Sequence, residues 1–220
     1  MKSQIKGRVF WVGSIGWNDH LPGEGLISHF HKSSSYNSYL IMGTHNFLID
    51  TVSKEFADAF IENLSYELPV SDLYGIILTT DKSDHTGALP KILELNPEIK
   101  VFVSSHDAAS VKKQLGKKSN IVAVNSGDSF RENGFSLDFI DVVPFGKRHA
   151  LFSYIREERI LFSGYATEYI IQDLLGPDGE DYHDKEPVHR RLQRRIGEKI
   201  GMPIQPDIIC TNHGTPMFVV

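Results

Sequence analysis

An aspartate and a histidine stand side by side in the sequence, shortly after an apolar run. Residues 75–78 are apolar, and the polar stretch 79–87 that follows carries Asp84 and His85 near its end. A turn of this kind can aim a carboxylate and an imidazole into one cleft, and both groups are suitable metal ligands. Because α/β folds place their sites at strand ends, this stretch is the first candidate for a functional site.

Short apolar or alternating runs rich in β-branched and aromatic residues predict ten strands that would position these side chains. The runs cover residues 8–12, 39–42, 47–50, 75–79, 101–104, 121–124, 135–140, 151–155, 160–163 and 208–211. Turn residues at Gly43-Thr44 and at Glu157-Glu158 separate neighbouring runs, so we expect the sheets to be at least partly antiparallel.

Helical patterns lie between the strands. The clearest covers residues 54–68 behind a Ser53 cap, and its apolar face is made by Phe56, Phe60, Ile61, Leu64 and Leu68. Shorter helices are predicted at 89–95, with Pro90 in the first turn, and at 108–115, behind an Asp107 cap. Residues 186–200 predict a last, strongly basic helix. This order of elements predicts two packed sheets with helices on the outer faces.

Composition narrows the class of protein. With 220 residues, 40% of them hydrophobic, the chain can form one domain, and we expect residues 1–220 to do so. A net charge of -5 gives no basic field for nucleic acid. The lone Cys210 excludes an intramolecular disulfide and a Cys-rich metal site, and no apolar run reaches the roughly 18 residues of a membrane span. We therefore expect a cytoplasmic protein with neither a nucleic-acid nor a membrane partner.

An ordered set of motifs along nearly the whole chain resembles the metallo-β-lactamase superfamily in its flavodiiron version. The set begins with Trp11-Val12-Gly13 and Trp17, and continues with Tyr36-Asn37-Ser38-Tyr39-Leu40 and Leu48-Ile49-Asp50-Thr51-Val52. The loop Asp84-His85-Thr86-Gly87-Ala88-Leu89-Pro90 follows, then Ile160-Leu161-Phe162-Ser163 and Asn212-His213-Gly214. The resemblance implies the metallo-β-lactamase fold, an αββα sandwich of two mixed sheets.

The resemblance also implies a di-iron domain, held in that family by a His-x-Glu-x-Asp-His loop, a later His, a bridging Asp and a last His. Asp84, His85 and His213 match their family counterparts. The other ligand positions are altered: they correspond to Thr80, Lys82, Gly146 or Lys147, and Tyr165. The family's flavodoxin domain would follow the last motif, whereas this chain ends at Val220, so we expect no FMN in this chain.

Ligand counting leaves three states of the metal site open. The site is metal-free with a Lys82–Asp84 ion pair, or it holds one iron or zinc on Asp84, His85 and His213, or it holds two metals. Tyr165 and His149 are possible additional ligands. The alternatives without a metal are a turn-capping Asp84, a structural His213 and a surface His149.

Two further regions are open to interpretation. Residues 13–35 predict a long ordered loop with His20, His29 and His31, which the resemblance places near the site entrance, although surface histidines are the favoured interpretation. In this loop and before it, Trp11, Trp17 and Phe30 are interpreted as packing residues. The basic helix is either a solvated surface or a docking site for an acidic partner; its cations are His189, Arg190, Arg191, Arg194, Arg195 and Lys199.

Three functions compete. The first is a sensing, binding or scaffold protein with a degraded di-iron site and no oxygen or nitric oxide reduction of its own, because such reduction needs a redox centre and an electron donor. The second is a mononuclear iron or zinc oxidoreductase or oxygen-binding protein, served by a separate redox partner. The third and least supported is a metal-dependent hydrolase, because Thr80 and Lys82 replace both histidines of the hydrolase loop. A small-molecule ligand, a signalling partner and a homodimer are compatible with the sequence.

Overall fold

The computed structural model describes residues 3–16, 34–116, 119–145, 148–167, 188–200 and 204–219. The chain divides into two compact units, one formed by residues 1–15 and 35–125 and the other by residues 16–34 and 126–220. Each unit contains one mixed sheet. A separate two-stranded sheet is formed by β3 (Ser14–Gly16) and β4 (Ser34–Tyr36).

The sheet of the first unit has seven strands in the order β1-β2-β5-β6-β7-β8-β9. Pairing is antiparallel from β1 to β6 and parallel from β6 to β9. The strands are β1 (Ser3–Lys6), β2 (Val9–Trp11), β5 (Tyr39–Ile41), β6 (Asn46–Ile49), β7 (Leu73–Ile77), β8 (Lys100–Ser104) and β9 (Asn120–Val124). The predicted Gly43-Thr44 reversal is confirmed, because β5 and β6 are antiparallel neighbours.

Three helices bury their apolar sides against this sheet: α1 (Ala57–Glu67), α3 (Leu89–Leu95) and α4 (Ala108–Leu115). Phe60, Leu64, Ile92 and Val111 are fully buried with strand residues such as Val101. A four-residue helix, α2 (Ser83–Thr86), lies between β7 and α3, and 3₁₀ turns precede α1 (Lys54–Phe56) and β7 (Val70–Asp72). The helices predicted at 89–95 and 108–115 are therefore confirmed.

Ser53 and Asp107 occupy the N-cap positions as predicted, Ser53 before the 3₁₀ turn and Asp107 before α4, but neither side chain makes a capping hydrogen bond. Ser53 precedes a 3₁₀ turn, and its side chain hydrogen-bonds with Tyr36. Asp107 has φ -94° and ψ -10°, whereas a capping residue needs extended backbone to reach back to the first turn. Its backbone instead continues the turn that begins at Ser104.

The sheet of the second unit has six strands, β10 (Ser129–Glu132), β11 (Phe135–Phe145), β12 (Arg148–Ile155), β13 (Ile160–Gly164), β14 (Ile208–Thr211) and β15 (Met217–Phe218). All neighbours are antiparallel except β13 and β14. The basic helix, α5 (Val188–Ile200), contributes the fully buried Ile196 to a cluster with Ile140, Phe152 and Ile209. Residues 186 and 187, where this helix was predicted to begin, lie outside the described residues.

Strand prediction was incomplete. Strands β1, β3, β4, β10 and β15 were not predicted, and β11 runs five residues beyond the predicted end at 140. Cys210 is buried in β14, and this burial raises the pKa of its thiol well above the ordinary value. Among the described residues no helix has both the length and the apolar character that crossing a membrane requires.

Candidate functional site

The loop that carries Asp84 and His85 begins where β7 ends, and a buried carboxylate holds its first residue. Asp50, directly after β6, is fully buried and accepts hydrogen bonds from the Thr79 backbone N–H (2.8 Å) and the Thr79 hydroxyl (2.6 Å). Asp50 has φ 54°, in the left-handed region that aspartate tolerates better than most residues. The parallel pairing of β6 and β7 therefore fixes both ends of this contact.

Thr51 holds the other end of the loop. Its backbone N–H and its hydroxyl both donate to the carbonyl of His85, each at 2.8 Å. Two residues later, Gly87 packs so closely that an added Cβ would collide with the backbone nitrogen of Lys54. The Gln114 amide of α4 adds a third attachment, because it donates to the Asp81 carbonyl at 3.1 Å. The loop is thus pinned by residues distant in sequence.

The adjacent donors face each other. Asp84 Oδ2 lies 3.5 Å from His85 Nε2, and the His85 side chain is 1% exposed whereas that of Asp84 is 41% exposed. One carboxylate and one imidazole on a single helical turn are the donor types that iron and zinc accept. Asp84 is inside α2 and makes no capping contact there, since the helix begins after Lys82.

Thr80 and Lys82, the two loop positions where the resemblance predicts lost ligands, have different environments. Thr80 is 2% exposed, and its hydroxyl accepts a hydrogen bond from the Lys82 backbone N–H at 3.4 Å. Lys82 is half-buried. A threonine hydroxyl is a poor ligand for these ions, and a protonated lysine has no lone pair to donate.

Tyr36 lies within electrostatic reach of the loop. Burial raises the pKa of the Tyr36 phenol, and the charges of Glu55 and Asp84 raise it further, against a hydrogen bond with Ser53 that lowers it. The ring packs on Phe56 with centroids 5.3 Å apart. Tyr36 therefore stays a neutral hydroxyl at neutral pH beside the carboxylate of Asp84.

The second unit contains the remaining candidates. Tyr165 follows β13, is buried, and donates its hydroxyl to the carbonyl of His149 at 2.9 Å. The His149 ring is partly buried, and its Nδ1 lies 3.6 Å from Asp141 Oδ1 on the paired strand β11. His213 is half-buried in the turn after β14, where its carbonyl accepts the Thr211 hydroxyl at 2.6 Å. Gly214 follows with φ 73°, which closes this turn.

Several predicted residues lie outside the described residues: Gly146, Lys147, Trp17, His20, His29, Phe30 and His31. Trp11 is described, and its indole N–H donates to the Asn37 side chain at 3.1 Å, which agrees with a packing role. Sequence reasoning missed the roles of Asp50, Thr51, Gln114 and Asp141. The signal available for the first two was their position directly after a buried strand.

The two mixed sheets and their helices define the class of the protein as α/β. No family model matches the chain. The anaerobic nitric oxide reductase flavorubredoxin of Shigella dysenteriae serotype 1 (strain Sd197) is 27% identical in an alignment 236 residues long. This alignment covers 97% of this chain and 48% of that protein. The protein of the same name from Escherichia coli (strain K12 / DH10B) gives the same values.

Solved structures agree with the sequence relatives. The flavodiiron protein from Giardia intestinalis has a TM-score of 0.72 at 18% identity, covering 99% of this chain and 56% of that chain. Rubredoxin oxygen:oxidoreductase from Desulfovibrio gigas has a TM-score of 0.72 at 20% identity, covering 98% and 57%. A fragment, 1–254, of a putative diflavin flavoprotein from Nostoc sp. PCC 7120 has a TM-score of 0.72 at 20% identity, covering 99% and 89%.

These comparisons confirm the predicted resemblance and the predicted fold. The homologues and structural neighbours of this chain are flavodiiron proteins, whose N-terminal domain is a metallo-β-lactamase-like di-iron domain. The chain spans about half the length of the curated relatives it matches.

We predict that Asp50 is a major contributor to the stability of the first unit. Asp50→Ala removes the acceptors of two buried Thr79 donors and places a β-carbon without a polar partner at positive φ, so the free energy of unfolding should fall by about 3 kcal/mol. Asp50→Asn keeps one acceptor and tolerates this backbone, so its loss should be about 1 kcal/mol. Urea unfolding followed by circular dichroism measures both. A loss below about 0.5 kcal/mol for Asp50→Ala would contradict the role given to this carboxylate.

Proposed function

We propose that this chain is a flavodiiron-type protein with a degraded di-iron site, and that it has a sensing, binding or scaffold role without oxygen or nitric oxide reductase activity of its own. The observation that carries the proposal is the environment of Thr80. Its side chain is buried where the family loop has its first histidine, and its hydroxyl is engaged with the backbone of the same loop. A buried, engaged hydroxyl does not replace an imidazole as an iron ligand.

The second replacement changes the charge of the site. Lys82 stands where the family has a glutamate, so a ligand with negative charge gives way to a group with positive charge. An ammonium near Asp84 can supply the favourable electrostatics that a metal ion would otherwise supply to this carboxylate. Two cationic centres in one small site would repel each other, which disfavours loading of the iron that this position serves in the family.

Reductase activity would require more than a metal site. Oxygen and nitric oxide reduction require a redox centre that accepts several electrons and a donor that delivers them. The curated relatives carry a reductase name, and this chain spans about half their length, so their whole activity is not carried over to it. With two loop ligands replaced, we infer that the chain has retained the fold for recognition. A small molecule or oxygen as ligand, a separate redox or signalling protein as partner, a homodimer, a single domain over 1–220 and a cytoplasmic location all stay predictions.

Turnover tests this proposal directly. The purified protein, preincubated with Fe(II), should consume nitric oxide under anaerobic conditions no faster than Asp84→Ala when both receive reduced FMN as electron donor. The reason is that neither sample holds a complete di-iron centre. A nitric oxide electrode measures the rates, and oxygen uptake is measured in the same way. A rate well above the background that disappears in Asp84→Ala would refute the absence of reductase activity.

A mononuclear metalloprotein is the second candidate, favoured by the 3.5 Å separation of Asp84 Oδ2 and His85 Nε2. These residues and His213 supply two imidazoles and one carboxylate, a donor set that fits a single iron or zinc with open positions. Such an ion would act as a Lewis acid or a redox centre when bound. The Tyr165 hydroxyl already donates to the His149 carbonyl, which leaves it less available as an additional ligand.

Metal content separates the two candidates. Plasma mass spectrometry on protein purified without chelator or nickel affinity should find at most one iron or zinc ion per chain. If Asp84, His85 and His213 hold this ion, it should be lost in Asp84→Ala and in His213→Ala, because each variant removes a ligand. His45→Ala is the matched control, since the His45 ring packs on Tyr74 at 4.2 Å. An ion that persists in both ligand variants would rule out these residues as its site.

A further inference from the structure

The hairpin that joins β10 and β11 turns through Asn133 and Gly134, which we call the Asn-Gly turn. Glu132 pairs with Phe135, so these two residues form the whole connection between the strands. Both are exposed, and Gly134 has φ 70°, a conformation that glycine adopts without strain. The hairpin therefore ends in a short, solvated turn.

The Asn-Gly turn brings together two groups that can react with each other. The side-chain amide carbon of Asn133 is an electrophile, and the backbone nitrogen of the next residue can close a cyclic imide on it. A β-carbon on that next residue hinders the approach, and glycine has none. A β-carbon built on Gly134 would meet no atom within 4 Å, so that side of the turn is open to water. The amides at the end of a hairpin also open more often than those of a sheet interior.

The sequence contains this reactive pair once. Of the nine asparagines in the chain, Asn133 alone is followed by glycine. Asn63 is also exposed, but it lies inside α1 and is followed by Leu64, which is buried. The helix holds the backbone nitrogen of Leu64 in a hydrogen bond, and its side chain shields that nitrogen. The same chain thus carries one exposed asparagine in a reactive setting and one in an unreactive setting.

We propose that Asn133 is a site of spontaneous covalent modification, converted to aspartate and isoaspartate by its own neighbour. The backbone nitrogen of Gly134 loses its proton and bonds to the Asn133 side-chain amide carbon, and ammonia leaves as that amide C–N bond breaks. Water then opens the cyclic imide at either of its carbonyl carbons. One water is consumed and one ammonia released, with no oxidant or reductant. The inference goes beyond the proposed function, because it does not depend on whether Asp84 and His85 hold a metal.

The isoaspartate product changes the hairpin as well as the charge. Its main chain runs through the former side-chain methylene, which adds a carbon to a turn whose length sets the Glu132–Phe135 pairing. Among the described strands, β10 pairs with β11 alone, so it lies at an edge of the sheet. An edge strand can detach while the remaining strands stay paired. The modification should therefore loosen β10 selectively.

Mass spectrometry of proteolytic digests tests the proposal on the native protein, incubated at about pH 8 and about 37 °C. The peptide that contains Asn133 should gain about 1 Da and separate into two products, at least about tenfold faster than any gain at Asn63. The rate should rise about tenfold from about pH 7 to about pH 8, because the deprotonated backbone nitrogen is the attacking group. Asn133→Gln should abolish the gain, since a longer side chain closes the ring poorly.

A synthetic peptide covering residues 129–138 verifies that the conditions permit the reaction. If this peptide is converted while the folded protein gains no mass at Asn133, the proposal is overturned. Equal rates at Asn133 and Asn63 would also overturn it. Hydrogen exchange of the β10 amides should be faster in the isoaspartate product than in Asn133→Asp, which gains the same charge without the added main-chain carbon. Equal exchange in the two would overturn the claim that the lengthened turn loosens β10.

Discussion

The buried carboxylate of Asp50 is the interaction on which the candidate loop depends. It receives a backbone N–H and a hydroxyl from Thr79, the residue from which the polar loop departs. A carboxylate buried this deeply is stable only when hydrogen bonds compensate its loss of water. The two hydrogen bonds therefore fix the position at which the loop begins. Thr51 then fixes the far side through the carbonyl of His85. These contacts hold the loop from both sides without the side chains of Thr80 and Lys82.

Under the proposed function, this separation of scaffold from ligands would let a site lose its chemistry without losing its fold. Asp50, Thr51 and Gly87 contact residues 79, 85 and 54 and make no use of the side chains at positions 80 and 82. Substitution of ligands at these positions costs the scaffold nothing, and a buried threonine is more easily accommodated than an imidazole that has no metal. A loop preserved in this way is available for recognition.

Sequence patterns predicted the elements that have strong periodicity. Helices 89–95 and 108–115 and the strand 208–211 were predicted at the residues where they occur, because their apolar residues follow a regular spacing, with Leu89, Ile92 and Val111 buried. The missed strands β1 and β10 carry polar side chains at sheet edges, where hydrophobic alternation is weak. The continuation of β11 past residue 140 was hidden by Asp141 and Pro144.

The residues of the candidate site were likewise predicted only in part. Adjacency made Asp84 and His85 visible in the sequence, whereas Asp50 acts on a residue 29 positions away and Gln114 on one 33 positions away. Such contacts depend on the parallel arrangement of strands, which no local pattern specifies. The Ser53 side chain makes no capping hydrogen bond for a related reason: it contacts Tyr36, a residue that only the tertiary fold brings near it.

Anaerobic titration with Fe(II), comparing the native protein with Thr80→His/Lys82→Glu, tests the central claim that ligand replacement has degraded a di-iron site. We expect the native protein to saturate at no more than one iron per chain, and the double variant, which carries the family's histidine and glutamate at positions 80 and 82, to bind more iron than the native protein. Saturation of the native protein at two irons per chain would contradict it.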